Sequence, residues 1–380
     1  MFTNSDIAEL TAFRRELHLW PELSGAEEET ARRVVAFMAA GAPDKVLTGL
    51  GGTGVALVYD SGRAGPSVMI RAELDALPIE ETGTPDYRSR IAGRGHLCGH
   101  DGHMAMLCAV GRVLARQRPA RGRVILLFQP AEETGQGAAA VLADPAFAAI
   151  APDIALSLHN MPGLPLGHVG LAEGPANCAS RGLDIRLCGR TAHASMPDTG
   201  LSPMRALARL MPALTALGGG GPLDTGFRMA TVTHAAMGEA TFGIAPGAAR
   251  LMVTLRCLED AGMDALCAEA EALVRDVAEA EGLELSMRYD DVFLACRNAP
   301  EAVALLRRAC TAAGVPVSEV PPMLGSEDFG RFGHDRPAAM FLLGAGEDRP
   351  QLHNPDYDFP DDLIPVGAAV FLQAIREVLG

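Results

Sequence analysis

The chain has no excess of positive charge, no long apolar run, no paired cysteine framework and no internal repeat, and each absence removes a class of function. Lys and Arg number 32 against 47 Asp and Glu, a net charge of −15, so neither a nucleic acid nor an acidic membrane surface is the expected partner. No stretch is apolar for long enough to span a bilayer, and no membrane association is expected. The opening Met1-Phe2-Thr3-Asn4-Ser5-Asp6 lacks the basic and apolar regions of a secretory leader. The cysteines at 98, 108, 178, 188, 257, 267, 296 and 310 are scattered rather than paired. A cytoplasmic protein with reduced thiols is the expectation. Low complexity is confined to the glycine run at 218–221.

What is present is globular. Hydrophobic content of 48% and charged content of 21% suit a folded enzyme, and 380 residues are too many for one simple core. Helices are expected after the capping cluster Asn4-Ser5-Asp6, over the stretch carrying Ala31, Val34, Val35 and Met38, from about His103 to Arg116, and over 138–142. They alternate with apolar strands over 55–59, 67–71, 124–128 and 154–158, a pattern of α/β layers. Beyond about residue 180 the order becomes strand (183–187), helix (202–217), strand (229–234), strand (249–256), helix (264–281), strand (283–288). This β-α-β-β-α-β order is that of a ferredoxin-like α+β domain. The expected division is residues 1–179 with 292–380 as one discontinuous domain, and 180–291 inserted into it.

The chemistry-bearing residues concentrate at strand ends. Cys98-Gly99-His100-Asp101-Gly102-His103 puts thiol and imidazole groups within six residues, with glycines that permit tight turns. Thiolate and imidazole suit a transition-metal ion. Cys98 and His100, read as i and i+2 of an extended segment, face the same side. The plain alternative is a glycine-rich loop before a helix, with His103 a simple helix-start residue. Glu132-Glu133 follows directly on an apolar strand, where one carboxylate can bind metal while the other moves protons, although an acidic turn looks the same. His159 also ends a strand, His353 lies in a loop after apolar 340–343, and each, taken alone, reads as a structural histidine sooner than a ligand. Asp75, beyond the strand at 67–71, suits either a turn or a carboxylate orienting a metal-bound histidine. His193, alone, reads as a surface-loop histidine of the inserted domain.

Taken together and in order, several segments resemble the metallo-aminoacylase/carboxypeptidase family. The resemblance is strongest to its branch of hippurate hydrolases, N-acyl-amino-acid amidohydrolases and hydrolases of indoleacetic acid–amino acid conjugates. The segments run nearly end to end: Arg14-Arg15-Glu16-Leu17-His18, Ile70-Arg71-Ala72-Glu73-Leu74-Asp75, Cys98 to His103, Phe128-Gln129-Pro130-Ala131-Glu132-Glu133, Ala192-His193-Ala194-Ser195-Met196-Pro197, Gly325-Ser326-Glu327-Asp328-Phe329 and Leu352-His353-Asn354-Pro355.

The resemblance implies a two-domain metallopeptidase-like fold, with a catalytic α/β domain of mixed central sheet and an inserted ferredoxin-like lid or dimerisation domain. It implies two divalent ions (Zn, Mn, Co or Ni) held by Cys98, His100, Glu133, His159 and His353. Glu132 is then the general acid/base, Asp75 a supporting carboxylate, and His193 the lid histidine that stabilises the oxyanion. Arg256 corresponds to a lid arginine that contacts a substrate carboxylate. The implied activity is hydrolysis of an N-acyl amino acid to a carboxylic acid and an amino acid, by a homodimer or homotetramer formed through the lid. A dipeptidase or an N-carbamoyl-amino-acid hydrolase is the alternative on the same scaffold. Non-enzymatic alternatives are a ligand-binding relative without catalysis, or an α/β protein with a redox-sensing Cys98. Two departures from the family pattern stand out. Gly238-Glu239-Ala240-Thr241-Phe242-Gly243-Ile244-Ala245-Pro246 lacks the lid asparagine and is one residue longer, and Glu73 replaces an aspartate.

Overall fold

A computed structural model describes residues 2–380. The chain divides into two compact units. The first comprises residues through Ala176, then Arg297–Pro321 and Asp328–Gly380; the second comprises Asn177–Cys296 and Pro322–Glu327.

The first unit is built on an eight-stranded mixed sheet. Its order is Lys45–Leu50, Gly54–Asp60, Arg123–Gln129, Ser67–Glu73, Ile154–Pro162, Ala338–Gly346, Val169–Gly170, Val317–Ser318. The four strands from Arg123–Gln129 to Ala338–Gly346 are mutually parallel. Parallel strands are covered on both faces and read as continuous apolar runs, as Val124 to Phe128 and Val68 to Ile70 do. Helices Asn4–Leu19, His100–Arg116, Pro300–Ala313 and Leu363–Leu379 pack among themselves and on the sheet, burying Leu10, Leu17, Met106, Val110, Phe371 and Ile375 in one core. The first helix starts earlier than its sequence suggests. Thr3 is the N-cap and Asp6 closes a capping box with it, so Asn4, Ser5 and Asp6 form the first turn rather than preceding it.

The second unit has a four-stranded antiparallel sheet in the order Arg228–Met237, Ala248–Cys257, Ala179–Cys188, Glu284–Phe293, with helices Met204–Thr215 and Asp260–Ala280. This is the ferredoxin-like arrangement, in which the first and third strands are central. Its core is separate from that of the first unit and contains Leu183, Ile185, Leu210, Leu251, Val253, Leu266 and Val274. Among the described residues no helix is long and apolar enough to cross a membrane.

Candidate metal centre

Four parallel strands deliver the candidate residues to one edge of the first unit's sheet. Ser67–Glu73 runs on to Asp75, and Arg123–Gln129 runs on through Pro130 and Ala131 to Glu132 and Glu133. His159 lies within Ile154–Pro162, and His353 follows Ala338–Gly346. Carboxyl ends of parallel strands are where α/β sheets place their sites, because the chain turns there and exposes backbone and side chains to a crevice.

Cys98 and His100 reach this edge differently from the expectation. They do not belong to one extended segment. Gly99 turns the chain with φ +94° and His100 is already the first residue of helix His100–Arg116, three residues earlier than expected. Gly102, in the first turn of the helix, has no Cβ to meet the Phe359 ring, which would stand 2.5 Å from it. The helix start can therefore press against the loop beyond His353.

The structure brings the five expected donors and Glu132 together. The donor atoms of Cys98, His100 and His159 lie within 4.8 Å of one another. So do those of Cys98, Glu133 and His353, and those of His100, Glu132 and Glu133. Cys98 Sγ is 3.4 Å from His159 Nε2, His100 Nε2 is 3.8 Å from Glu133 Oε1 and 3.9 Å from Glu132 Oε2, and His353 Nε2 is 3.6 Å from Glu133 Oε2. The turn carrying the two glutamates is set by strain and by a buried carboxylate. Ala131 has φ +49°, which costs a non-glycine residue about 1–2 kcal/mol, and its N–H donates to Glu27 Oε1 at 2.8 Å. His353 is likewise left-handed, φ +66°, and its N–H donates to Leu97 O.

The electrostatics of the cluster favour a cation. Burial alone would keep His100 neutral, but the carboxylates of Glu73, Asp75 and Glu133 outweigh it and push its pKa up to about 10. Burial raises the Cys98 thiol, and Glu133 and Glu132 raise it further. His159 moves the other way, down to about 3, through burial and the neighbouring His103. Burial and His100 also lower His353. Added cationic charge would relieve both the thiol and the crowded carboxylates. The buried His100 Nε2 has no hydrogen-bond partner among the described residues. A thiol, three imidazoles and two carboxylates with atoms this close are a donor set suited to divalent transition metals.

Supports behind these donors differ in part from the expectation. His100 Nδ1 donates to the backbone carbonyl of Asp75 at 2.9 Å, while the Asp75 carboxylate stands farther off at 3.5 Å. That carboxylate instead accepts from Ser24 Oγ (2.7 Å) and from the Glu133 N–H (3.0 Å), so Asp75 braces two donors by two different groups. Glu73 pairs with Arg71 and lies 2.6 Å from His103 Nδ1, and Arg71 continues to Asp328 (2.6 Å) and Gln129 (2.9 Å). Two charged residues inside an apolar strand are the sequence signal for this network, since a buried charge must be paired. On the far side of the helix start, Asp101 accepts from His18 Nδ1 and pairs with Arg14, each at 2.8 Å, and His18 Nε2 donates to Glu81 at 3.2 Å.

His193 and Arg256 belong to the second unit. His193 is exposed on the short strand Ala192–His193, which pairs with Ile244–Ala245, and its Nδ1 shares a hydrogen bond with Ser195 Oγ at 2.8 Å. Phe242, in the turn leading to that pairing, is fully exposed. Arg256 donates to Leu324 O (2.9 Å) and Ser326 Oγ (2.7 Å), and burial pulls its guanidinium below the usual value.

Known proteins share this organisation. The family model of peptidase family M20/M25/M40 matches residues 69–377. An N-acetyl-L-cysteine deacetylase of Bacillus subtilis is 30% identical over 372 residues, covering 96% of this chain and 86% of that protein. A hippurate hydrolase of Campylobacter jejuni is 29% identical over 374 residues, covering 98% and 97%. Among solved structures, a dinuclear metal binding peptidase of the M20 family from Bacillus subtilis superposes with a TM-score of 0.83 at 24% identity, covering 100% of this chain and 99% of that one. The chain belongs to peptidase family M20/M25/M40 and is a hydrolytic enzyme.

Proposed function

We propose that the protein is a metal-dependent amidohydrolase that cleaves N-acyl amino acids to a carboxylic acid and a free amino acid. The observation that carries this reading is the convergence of Cys98, His100, Glu133, His159 and His353 with Glu132 among them. The similarity to a deacetylase and a hippurate hydrolase over nearly the whole chain supports the substrate class. Cys98, His100, Glu133, His159 and His353 would hold two divalent ions, of Zn, Mn, Co or Ni type by the chemistry of the donors. When bound, such ions lower the pKa of water and polarise a carbonyl.

The remaining work falls to the chain's own groups. Glu132 stands beside His100 and Glu133 and is 5% exposed, placed to take the proton from the attacking water at a carboxylate oxygen. It then delivers that proton to the amide nitrogen as the C–N bond breaks. Asp75 holds His100 and the Glu133 backbone in place through both steps. The second unit acts as the lid: His193 offers an imidazole to the developing oxyanion, and Arg256 a guanidinium to the substrate carboxylate. Association of two or four chains through this unit belongs to the same reading and is supported by its exposed Met196, Leu201, Met204, Met237, Phe242 and Ile244. Light scattering of the purified protein checks it.

The test of the activity is a panel of hippurate, N-acetyl amino acids, indoleacetyl amino acids, N-carbamoyl amino acids and dipeptides. Preferential release of amino acid from the acyl conjugates is expected. Hydrolysis confined to dipeptides or carbamoyl compounds would contradict the acyl assignment.

A further inference from the structure

We propose that Asn160 is a positioning residue for the donor set, a buried amide that ties together the three segments carrying Cys98 with His100, His159, and His353. The inference rests on the metal-dependent reading above and goes beyond it by naming what fixes the donors relative to one another.

Asn160 is fully buried. Its links lead in different directions, and one of them is a backbone N–H that donates to His103 Nε2 at 3.3 Å. Its backbone carbonyl accepts from His159 Nδ1 at 2.8 Å, which leaves Nε2 as the nitrogen facing Cys98. A metal-binding histidine is usually fixed in this way, the hydrogen bond on one ring nitrogen selecting the other as ligand. Its side-chain nitrogen donates to the Tyr357 hydroxyl at 2.5 Å. Tyr357 is fully buried and lies four residues beyond His353, so this bond holds the base of the His353 loop. Its side-chain oxygen is 2.5 Å from His103 Nε2, and His103 in turn is clamped to Glu73. His103 is one turn along the helix that His100 begins.

A further link is steric. A Cβ at position 99 would lie 2.5 Å from Asn160 Oδ1, so the carboxamide fills the space that a side chain between Cys98 and His100 would occupy. Gly99 therefore meets two demands at once, its φ of +94° and the approach of Asn160. A buried amide that loses a partner leaves a polar group unpaired, so displacement of any one segment is opposed by the other links. Asn160 and His159 are sequence neighbours on opposite faces of one strand, which lets one residue serve the donor's backbone and the opposite packing at once.

The full-length protein, Asn160→Ala, Asn160→Asp and Tyr357→Phe are loaded with Co(II). Affinity is read by chelator competition and the donor geometry by the visible thiolate–cobalt absorption. Loss of a hydrogen-bonding support behind a metal ligand typically weakens metal binding by about 10–100-fold. Asn160→Ala is expected in that range with a shifted absorption, and Tyr357→Phe toward its lower end. Asn160→Asp, which keeps the oxygen toward His103, is expected to recover part of the loss. A residue that only stabilises the fold would lower the melting temperature of the metal-free protein and leave affinity and absorption at wild-type values, and that result overturns the proposal. If Asn160→Ala does not fold, Tyr357→Phe decides: weakened affinity supports the proposal and unchanged affinity overturns it. A wild-type protein that takes up no cobalt overturns the metal-dependent function itself, before any variant is compared.

Discussion

The edge of the first unit's sheet and the 192–246 region of the second unit carry different kinds of residue in different surroundings. At the sheet edge, His100 is fully buried and Cys98 and Glu132 nearly so, His353 alone of the donors is exposed, and several donors are braced by a neighbour: His100 by Asp75, His159 by the Asn160 carbonyl, the Glu132–Glu133 turn by Glu27 and Asp75. In the second unit His193 is exposed and bonded to nearby Ser195, and Phe242 and Ile244 project into solvent. On the proposed function, the metal donors and Glu132 need fixed geometry and stand where several strands end together, and the exposed turn around Phe242 is where substrate contacts would tolerate variation. The departure from the family pattern, Phe242 and one extra residue, falls in the second kind of place.

Four substitutions sharpen or break this contrast. The largest effect is expected at the sheet edge: Glu132→Gln should lower turnover by about 10²–10⁴-fold, the range of general acid–base catalysis, while metal content stays unchanged. Turnover close to wild type would remove Glu132 from its role. In the second unit, His193→Ala should lower kcat by about 10²–10³-fold, as loss of an oxyanion donor does, again without loss of metal. An effect on KM alone would make His193 a binding group. Cys98→Ser should weaken metal affinity by at least about 10-fold, the lower end of what loss of even an outer support costs, and chelator titration reads it. Phe242→Asn should reorder the acyl substrates by about 10-fold in kcat/KM with metal content and melting temperature unchanged. If it leaves the ranking intact, the exposed turn has no part in recognition.

A fifth test concerns stability rather than rate. Burial opposes charge on His18, but Asp101 and Glu81 prevail and raise its pKa from 6.5 to about 9. The stabilisation it contributes is therefore complete below about pH 6.5 and is lost as pH rises through about 9. His18→Gln should flatten the fall of melting temperature across that window, with no change in the ranking of substrates.

Much of the fold was legible from pattern. The parallel strands are apolar runs because both faces are covered, and the strand–helix order of the second unit is that of its observed sheet. The strand Lys45–Leu50 was not legible, because it is an edge strand whose residues are mostly exposed, and neither were Val169–Gly170 and Val317–Ser318, which have two residues each. At the site, Cys98, His100, Glu132 and Glu133 stand out by spacing. His159 and His353 look ordinary one at a time and come into view only through the family resemblance. The local conformation around Gly99 misled, since an i, i+2 argument presumes extended backbone and Gly99 is left-handed. Asn160 and Tyr357 were silent, and His103 stood out only as part of the Cys98–His103 motif, because their supporting roles lie in contacts 57 and 197 residues apart, which no local pattern encodes.

The central claim is that the sheet-edge cluster of the first unit binds divalent metal and hydrolyses amides with it. The most direct measurement is metal content per chain on the purified protein, taken together with hydrolysis of hippurate and N-acetyl amino acids before and after chelation. About two ions per chain, with activity lost on chelation and restored on reloading, is the predicted result. Undiminished hydrolysis by metal-free protein would contradict the account.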